Sequence, residues 1–229
     1  MSVFKKKFVN PHKLEKKIVT LSKESKLKRE TVKQLMYYFQ TITKKYGGKM
    51  PRTQFRQEMT SRFNLMDDFM LDNLYRCFDL KNRGSLTMEE YLRGMGGFLS
   101  DDMEIITKLS FTVYDLNGDG YITREEMMQW LKTSLTRQSH EDDSDEGVKE
   151  LIDIIIKKLD CLDHDNRVSL KDFRAAVAED DLLLESLSSC LPPTENKKAF
   201  FLMISGDLKY TLSPSGPSAP VRFDAPVRK

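Results

Sequence analysis

The chain has 229 residues, of which 39% are hydrophobic and 31% charged, a balance typical of a helix-rich globular protein with a well-solvated surface. Its 37 lysines and arginines nearly cancel its 35 acidic residues, and a net charge of +2 gives no reason to predict nucleic-acid binding. The three cysteines lie far apart without CxxC spacing, which indicates free thiols and a cytoplasmic protein rather than a disulfide framework.

Residues 1–27 are predicted to be a basic N-terminal segment that contains an amphipathic helix over residues 11–24. Apolar side chains such as Ile18 recur there at helical spacing among four lysines. This helix either caps the N-terminal lobe, docks on the acidic surface of a microtubule or another partner, or lies on a membrane surface. No membrane anchor is predicted, because Ser2 stands where N-myristoylation requires a glycine and no apolar run approaches the roughly 20 residues that span a bilayer.

The frame of a 12-residue EF-hand loop recurs four times along the chain, and the first two copies have lost their ligands. The copy at residues 43–54 keeps the turn glycine, but Pro51 at position 9 is incompatible with a working site. The copy at residues 79–90 keeps an acid at each end, but positions 3 and 5 are Lys81 and Arg83, two cations directed at the place of the ion. Both loops are therefore predicted to be non-binding framework.

The third copy, residues 115–126, fits the template at every constrained position. Gly120 at position 6 permits the sharp turn that brings the next main-chain carbonyl onto an ion. Carboxylate, amide and main-chain oxygens are the hard ligands that Ca²⁺ prefers, so Ca²⁺ is the predicted cofactor. The predicted metal ligands are Asp115, Asn117, Asp119, the carbonyl of Tyr121 and Glu126, with Thr123 acting through a water.

The fourth copy, read as residues 161–172, is degenerate. Asp163 and Asp165 remain at positions 3 and 5, but Cys161 replaces the first aspartate. The turn residue is Asn166, and an aspartate stands in place of the closing glutamate. Because this set is two ligands short of the template, weak occupancy by Ca²⁺ or Mg²⁺ is left open beside the interpretation as a non-binding partner loop.

Four hands predict an all-α EF-hand fold with two lobes of paired hands and mostly degenerate loops. We predict the N-terminal pair at residues 28–98 and the C-terminal pair at residues 99–191. A C-terminal tail at residues 192–229 is predicted to be largely disordered, because its proline- and serine-rich end cannot bury enough apolar surface. No enzymatic activity is predicted, since the chain lacks a phosphate-binding glycine loop, an activated nucleophile and a transition-metal site.

Several segments resemble one family of EF-hand proteins. They are the third hand at residues 113–127, the acidic linker and following helix at 142–151, Leu-Leu-Leu-Glu at 182–185 and Cys-Leu-Pro-Pro at 190–193. Over residues 26–195 the chain resembles the calaxin family, which is of the neuronal-calcium-sensor type. The resemblance implies a calcium-dependent regulator in the axoneme of cilia or flagella, bound to outer-arm dynein or its docking complex on microtubules, with tubulin as a further candidate partner.

Three hypotheses for the role of the chain follow. In the first, Ca²⁺ binding moves Glu126 and rotates the helix after it, so that the C-terminal lobe exposes apolar surface to a partner helix. In the second, the chain is a mainly structural axonemal subunit that calcium only rigidifies. In the third, it is a calcineurin-B-like regulatory subunit that holds a long helix of an enzyme.

Overall fold

The computed structural model describes residues 11–135 and 145–206, which form ten α-helices and four two-residue strands. The helices are α1 (Pro11–Ser25), α2 (Arg29–Ile42), α3 (Arg52–Phe63), α4 (Asp68–Phe78), α5 (Met88–Phe98), α6 (Met103–Tyr114), α7 (Arg124–Leu135), α8 (Asp145–Leu159), α9 (Leu170–Glu179) and α10 (Thr194–Ser205). The strands are β1 (Met50–Pro51), β2 (Ser85–Leu86), β3 (Tyr121–Ile122) and β4 (Val168–Ser169). Within the described residues, no helix is both long enough and apolar enough to cross a membrane.

The loops of the four hands join in two antiparallel pairs, which confirms the predicted all-α EF-hand fold with paired hands. β1 pairs with β2, placing Met50 opposite Leu86, and β3 pairs with β4, placing Ile122 opposite Val168. These four residues hold position 8 of the loop frames and are fully buried, so each strand pair also closes the core beneath it. We propose that the two lobes span residues 28–98 and 99–191, because α2–α5 lie in the first range and α6–α9 in the second.

The two lobes contact each other through α4 of the N-terminal pair. Phe69 on α4 packs edge-on against Trp130 on α7, with 4.7 Å between the ring centroids. Trp130 is fully buried, and its indole Nε1–H donates to the main-chain carbonyl of Tyr114 at 3.1 Å. Aromatic pairs of this geometry contribute about 0.5–1.5 kcal/mol beyond the area that they bury. The lobes therefore share an aromatic contact next to the start of the third loop.

The basic helix predicted at residues 11–24 forms α1 and lies on α5. Ile18 and Leu21 are buried, and Lys17 forms an ion pair with Glu89 at the start of α5. Gly96 on α5 allows this approach, because a Cβ atom there would lie 2.1 Å from the carbonyl oxygen of Ser25. The interpretation of the helix as a cap on the N-terminal lobe is confirmed by this packing.

The C-terminal segment differs from its prediction. Residues 194–205, inside the tail predicted to be largely disordered, form α10. Phe200 on this helix is buried against Phe63 and Tyr38, so a groove on the N-terminal lobe supplies the apolar surface that makes the helix stable. The prediction of disorder is wrong for α10, because it was made from the composition of the far end of the chain. The predicted disorder of 207–229 and most of the acidic linker at 136–146 lie outside the described residues.

Candidate metal centre

The first predicted ligand of the third loop is held by main-chain amides. Asp115 follows the last residue of α6 and is buried, with Oδ1 accepting from the Gly118 N–H at 2.7 Å and Oδ2 from the Gly120 N–H at 2.9 Å. Gly120 has a φ of +90°, in the left-handed region where a residue without Cβ fits without strain. The loop therefore curls around the first predicted ligand, as the EF-hand template requires.

The last predicted ligand, Glu126, already lies inside the loop. Its Oε1 accepts from the N–H groups of Leu116 and Asn117 at 2.8 and 3.1 Å. Its Oε2 accepts from the Thr123 N–H at 2.9 Å and from the Thr123 hydroxyl at 3.0 Å. Both oxygens are thus occupied by hydrogen bonds that connect the two ends of the loop. Coordination through both oxygens requires the carboxylate to exchange some of these hydrogen bonds for an ion.

The predicted ligands in the middle of the loop, Asn117 and Asp119, lie on its exposed rim. The Asn117 side chain donates from Nδ2 to Oδ2 of Asp119 at 2.9 Å, and its Oδ1 accepts from the Asp119 N–H at 2.8 Å. Oδ1 of Asp119 accepts from the Tyr121 N–H at 2.9 Å, and Tyr121 lies in β3. All five predicted ligands offer oxygen in one short loop, which fits a hard cation such as Ca²⁺. Hydrogen bonds join Asn117 to Asp119 and Glu126 to the backbone of Asn117.

A cationic side chain from the other lobe contacts this loop, and the loop template gave no signal for it. Arg76 on α4 donates from Nη2 to the carbonyl oxygens of Thr112 at 3.0 Å and Asp115 at 2.6 Å. These carbonyls belong to the last turn of α6 and the first loop residue, where the helix dipole favours a positive charge. Arg76 therefore connects the N-terminal lobe to the residue that begins the candidate calcium site.

In the second loop an arginine side chain pairs with the closing carboxylate. Nη2 of Arg83 donates to Oε1 of Glu90 at 2.7 Å, and only 4% of the Glu90 side chain is exposed. Burial raises the pKa of Glu90, but hydrogen bonds from Thr87 and Arg83 outweigh it and hold the pKa below its ordinary value. The sequence predicted that Arg83 repels an ion. The structure shows in addition that the guanidinium of Arg83 is hydrogen-bonded to the carboxylate that would close the site. This geometry supports the proposal that loop 79–90 does not bind metal.

Replacing Arg83 by methionine is expected to lower the free energy of unfolding by about 1 kcal/mol at pH 7, a value discounted because Arg83 is partly exposed. A carboxyl whose folded pKa is depressed stabilises the fold above its unfolded pKa of about 4.3, and this stability is lost as the pH falls through the folded pKa. The deficit of R83M should therefore shrink below about pH 4 in urea titrations. Lys81→Met is the control, since Lys81 is exposed; equal losses in both variants would contradict the role of Arg83.

Comparison with known proteins identifies one matching family model and several similar proteins. A family model described as an EF-hand domain pair matches residues 106–178, which include the third and fourth loops. The chain is 39% identical to calaxin of Xenopus laevis over 198 residues, covering 84% of this chain and 95% of the relative. It is 45% identical to calaxin of Danio rerio over 149 residues, covering 65% and 70%, and 40% identical to calaxin of Homo sapiens over 158 residues, covering 69% and 74%.

Proposed function

Because the chain belongs to the calaxin family of EF-hand calcium-binding proteins, we propose that it is a calcium-dependent regulator in the axoneme of cilia or flagella. Its proposed partner is outer-arm dynein or the docking complex of that dynein on the microtubule. The observation that carries the regulatory part is the contact of Arg76 with the carbonyl of Asp115, because it links the candidate calcium loop to the other lobe. The axonemal part rests on the family resemblance of the sequence.

The loop at residues 115–126 is the proposed calcium site. Its ligands are the side-chain oxygens of Asp115, Asn117 and Asp119, the main-chain carbonyl of Tyr121 and both carboxylate oxygens of Glu126. Bound Ca²⁺ supplies a double positive charge that compensates the carboxylates of the loop. A loop with three carboxylates and a glutamate at position 12 is expected to have sensor affinity, with Kd on the order of 10⁻⁷–10⁻⁵ M.

The chain's own contacts suggest how this site influences the rest of the molecule. Glu126 lies in the first turn of α7, so exchange of its hydrogen bonds with Leu116 and Asn117 shifts the start of α7 relative to α6. Trp130 is one turn further along α7 and contacts both Tyr114 and Phe69. A movement of α7 therefore changes the contact between the lobes and the apolar surface that the C-terminal lobe offers to a partner helix.

Co-sedimentation of the purified protein with axonemes tests this function. The protein should be retained in a calcium-dependent manner by axonemes that carry outer-arm dynein with its docking complex, and poorly by axonemes that lack both. Glu126→Gln should remove the calcium dependence, whereas the exposed neighbour Glu125→Gln should leave it intact. Equal retention in calcium and in chelator would favour the hypothesis of a mainly structural subunit. Equal retention by axonemes with and without outer-arm dynein and its docking complex would contradict the proposed partner.

A further inference from the structure

The loop end of the N-terminal lobe carries only cations among its exposed charged side chains. Loops 43–54 and 79–90 lie side by side there, because β1 pairs with β2. The acids of the two loops are withdrawn from the surface, since Asp79 and Glu90 are buried and Glu89 is paired with a lysine of α1. The exposed cations, which we call the basic loop patch, are Lys44, Lys45, Lys49, Arg52, Lys81 and Arg83.

The charge of the basic loop patch is only partly compensated within the molecule. Arg52 lies 3.6 Å from a carboxylate oxygen of Asp72, and Arg83 is paired with the closing glutamate of its own loop. Lys49 and Lys81, one from each loop, form no ion pair with any residue that the structure describes. Like charges held close together repel one another, and they raise the local concentration of anions. The patch therefore favours an anionic partner.

A depression of about 600 Å³ adjoins the patch at the first loop. It is lined by Thr41, Ile42, Lys44, Lys45 and Gln54. Gln54 holds position 12 of the first loop frame, and its Nε2 donates to Oε1 of Glu58 at 2.9 Å. Its Oε1 is buried and accepts no hydrogen bond from the described part of the chain. An unpaired buried carbonyl is unfavourable, so a ligand that brings an N–H group to this depression gains from it.

We propose that the basic loop patch and this depression bind an acidic peptide segment of a partner protein, independently of calcium. Carboxylates of the segment pair with Lys45, Lys49 and Lys81 in charge-assisted contacts. A main-chain N–H of the segment donates to Oε1 of Gln54. Calcium takes no part, because this surface lies on the first two loops and not on the candidate calcium loop.

An acidic peptide fits this surface better than a membrane or a nucleic acid does. The phosphate oxygens of a lipid or a nucleic acid bring acceptors to the lysines but no donor for Gln54. A membrane also requires an apolar face, and Tyr46 and Leu80 are the large apolar side chains that the described loops 43–54 and 79–90 expose. A long polyanion meets repulsion at the loop end of the other lobe, where Asp163 and Asp165 are exposed.

Fluorescence anisotropy tests the surface, with the full chain titrated into a short labelled peptide in which glutamate alternates with glycine. We expect saturable binding that is equal in calcium and in chelator and that weakens about tenfold between about 50 and 200 mM NaCl. Lys49→Glu combined with Lys81→Glu should weaken binding by about tenfold or more. Gln54→Leu removes the acceptor and should weaken it by about threefold or more, with the same salt dependence.

The matched control combines Lys108→Glu with Lys171→Glu. Both lysines are exposed on the C-terminal lobe, and the change in net charge is the same, so the affinity for the peptide should stay within about twofold of the native value. Circular dichroism and calorimetric Ca²⁺ uptake show whether each variant is folded. Uptake should be native in K49E/K81E, because the candidate calcium loop lies on the other lobe.

Four outcomes would contradict the proposal. Equal weakening in the two double variants would mean that net charge and not the patch governs binding, and unchanged affinity in Q54L would remove the main-chain contact. Binding only in calcium would place the surface on the C-terminal lobe. Tighter binding to phosphatidylserine vesicles or to oligothymidylate, abolished in K49E/K81E, would assign the patch to a membrane or to nucleic acid. The calcium-dependent function is tested separately by E126Q, so either proposal can fail without the other.

Discussion

Replacing Glu126 by glutamine is expected to lower the Ca²⁺ affinity of loop 115–126 by about 100-fold or more, which corresponds to roughly 2.7 kcal/mol or more of binding free energy. Glutamine has no charge and only one oxygen, so it coordinates at most through a single atom. Its amide nitrogen also cannot accept a hydrogen bond, so it cannot replace both oxygens of Glu126, one of which accepts from the Leu116 and Asn117 N–H groups and the other from Thr123. The substitution therefore removes a ligand and disturbs the connection between the two ends of the loop.

Calorimetric titration with Ca²⁺ measures this loss, and Trp130 provides a second readout. The indole lies on α7 against Phe69, so we expect its fluorescence to change with Ca²⁺ in the native chain and not in E126Q at the same concentrations. Glu125→Gln is the matched control, because Glu125 is the exposed neighbour on the same helix and should bind Ca²⁺ within about twofold of the native chain. Native affinity in E126Q would remove loop 115–126 from consideration as the calcium site.

The loop frames were predictable because an EF-hand fixes backbone geometry as strictly as it fixes ligands. The turn at position 6 requires a residue in the left-handed backbone conformation, and Gly84, Gly120 and Asn166 all have positive φ. The apolar residue at position 8 must pair with the partner loop, and Leu86 and Ile122 lie in strands as expected. Degenerate loops therefore remained recognisable after their ligands had changed, since the turn and the strand pairing serve the fold whether or not an ion binds.

The sequence analysis began the fourth loop at Cys161, whereas Asp160 is the first residue after α8 in the structure. The turn and the strand of the fourth loop fix its downstream frame, and counting back by the usual spacing reaches Cys161. Only the end of α8 at Leu159 and the hydrogen bond from the Asn166 N–H show that the chain has an extra residue there. A fixed-length template cannot detect an inserted residue, because it assumes the spacing.

Contacts between residues that lie far apart in the sequence could not be predicted either. Arg76 lies 39 residues before the carbonyl of Asp115 that it contacts, and no local pattern links the two. The same applies to α10, which has no partner for its apolar side chains until the groove of the N-terminal lobe exists. Helical stability in such a segment comes from tertiary packing more than from propensity, so composition alone gave too little information about residues 194–205.

Replacing Phe200 by alanine is expected to remove about 3 kcal/mol from the free energy with which α10 is held on the N-terminal lobe. The ring is 3% exposed, and its centroid lies 5.0 Å from that of Phe63 and 5.5 Å from that of Tyr38. Polar contacts near the start of the helix add to this packing. Asn196 donates to the carbonyl of Arg62 at 3.1 Å, and Lys197 pairs with Asp101 at 2.6 Å. The alanine variant should therefore release α10 and expose the groove.

Hydrogen exchange at the amides of α10 measures this release directly, because a terminal helix can open without global unfolding. The α10 amides of F200A should exchange about 100-fold faster than those of the native chain, while amides in α6 and α7 keep their rates. Leu202→Ala is the control on the same helix, since Leu202 is 49% exposed and its loss should cost about 0.5 kcal/mol or less. Equal acceleration in both variants would contradict the role of Phe200, because it would mean that α10 is held by its exposed face or by its polar contacts instead of by the aromatic ring in the groove.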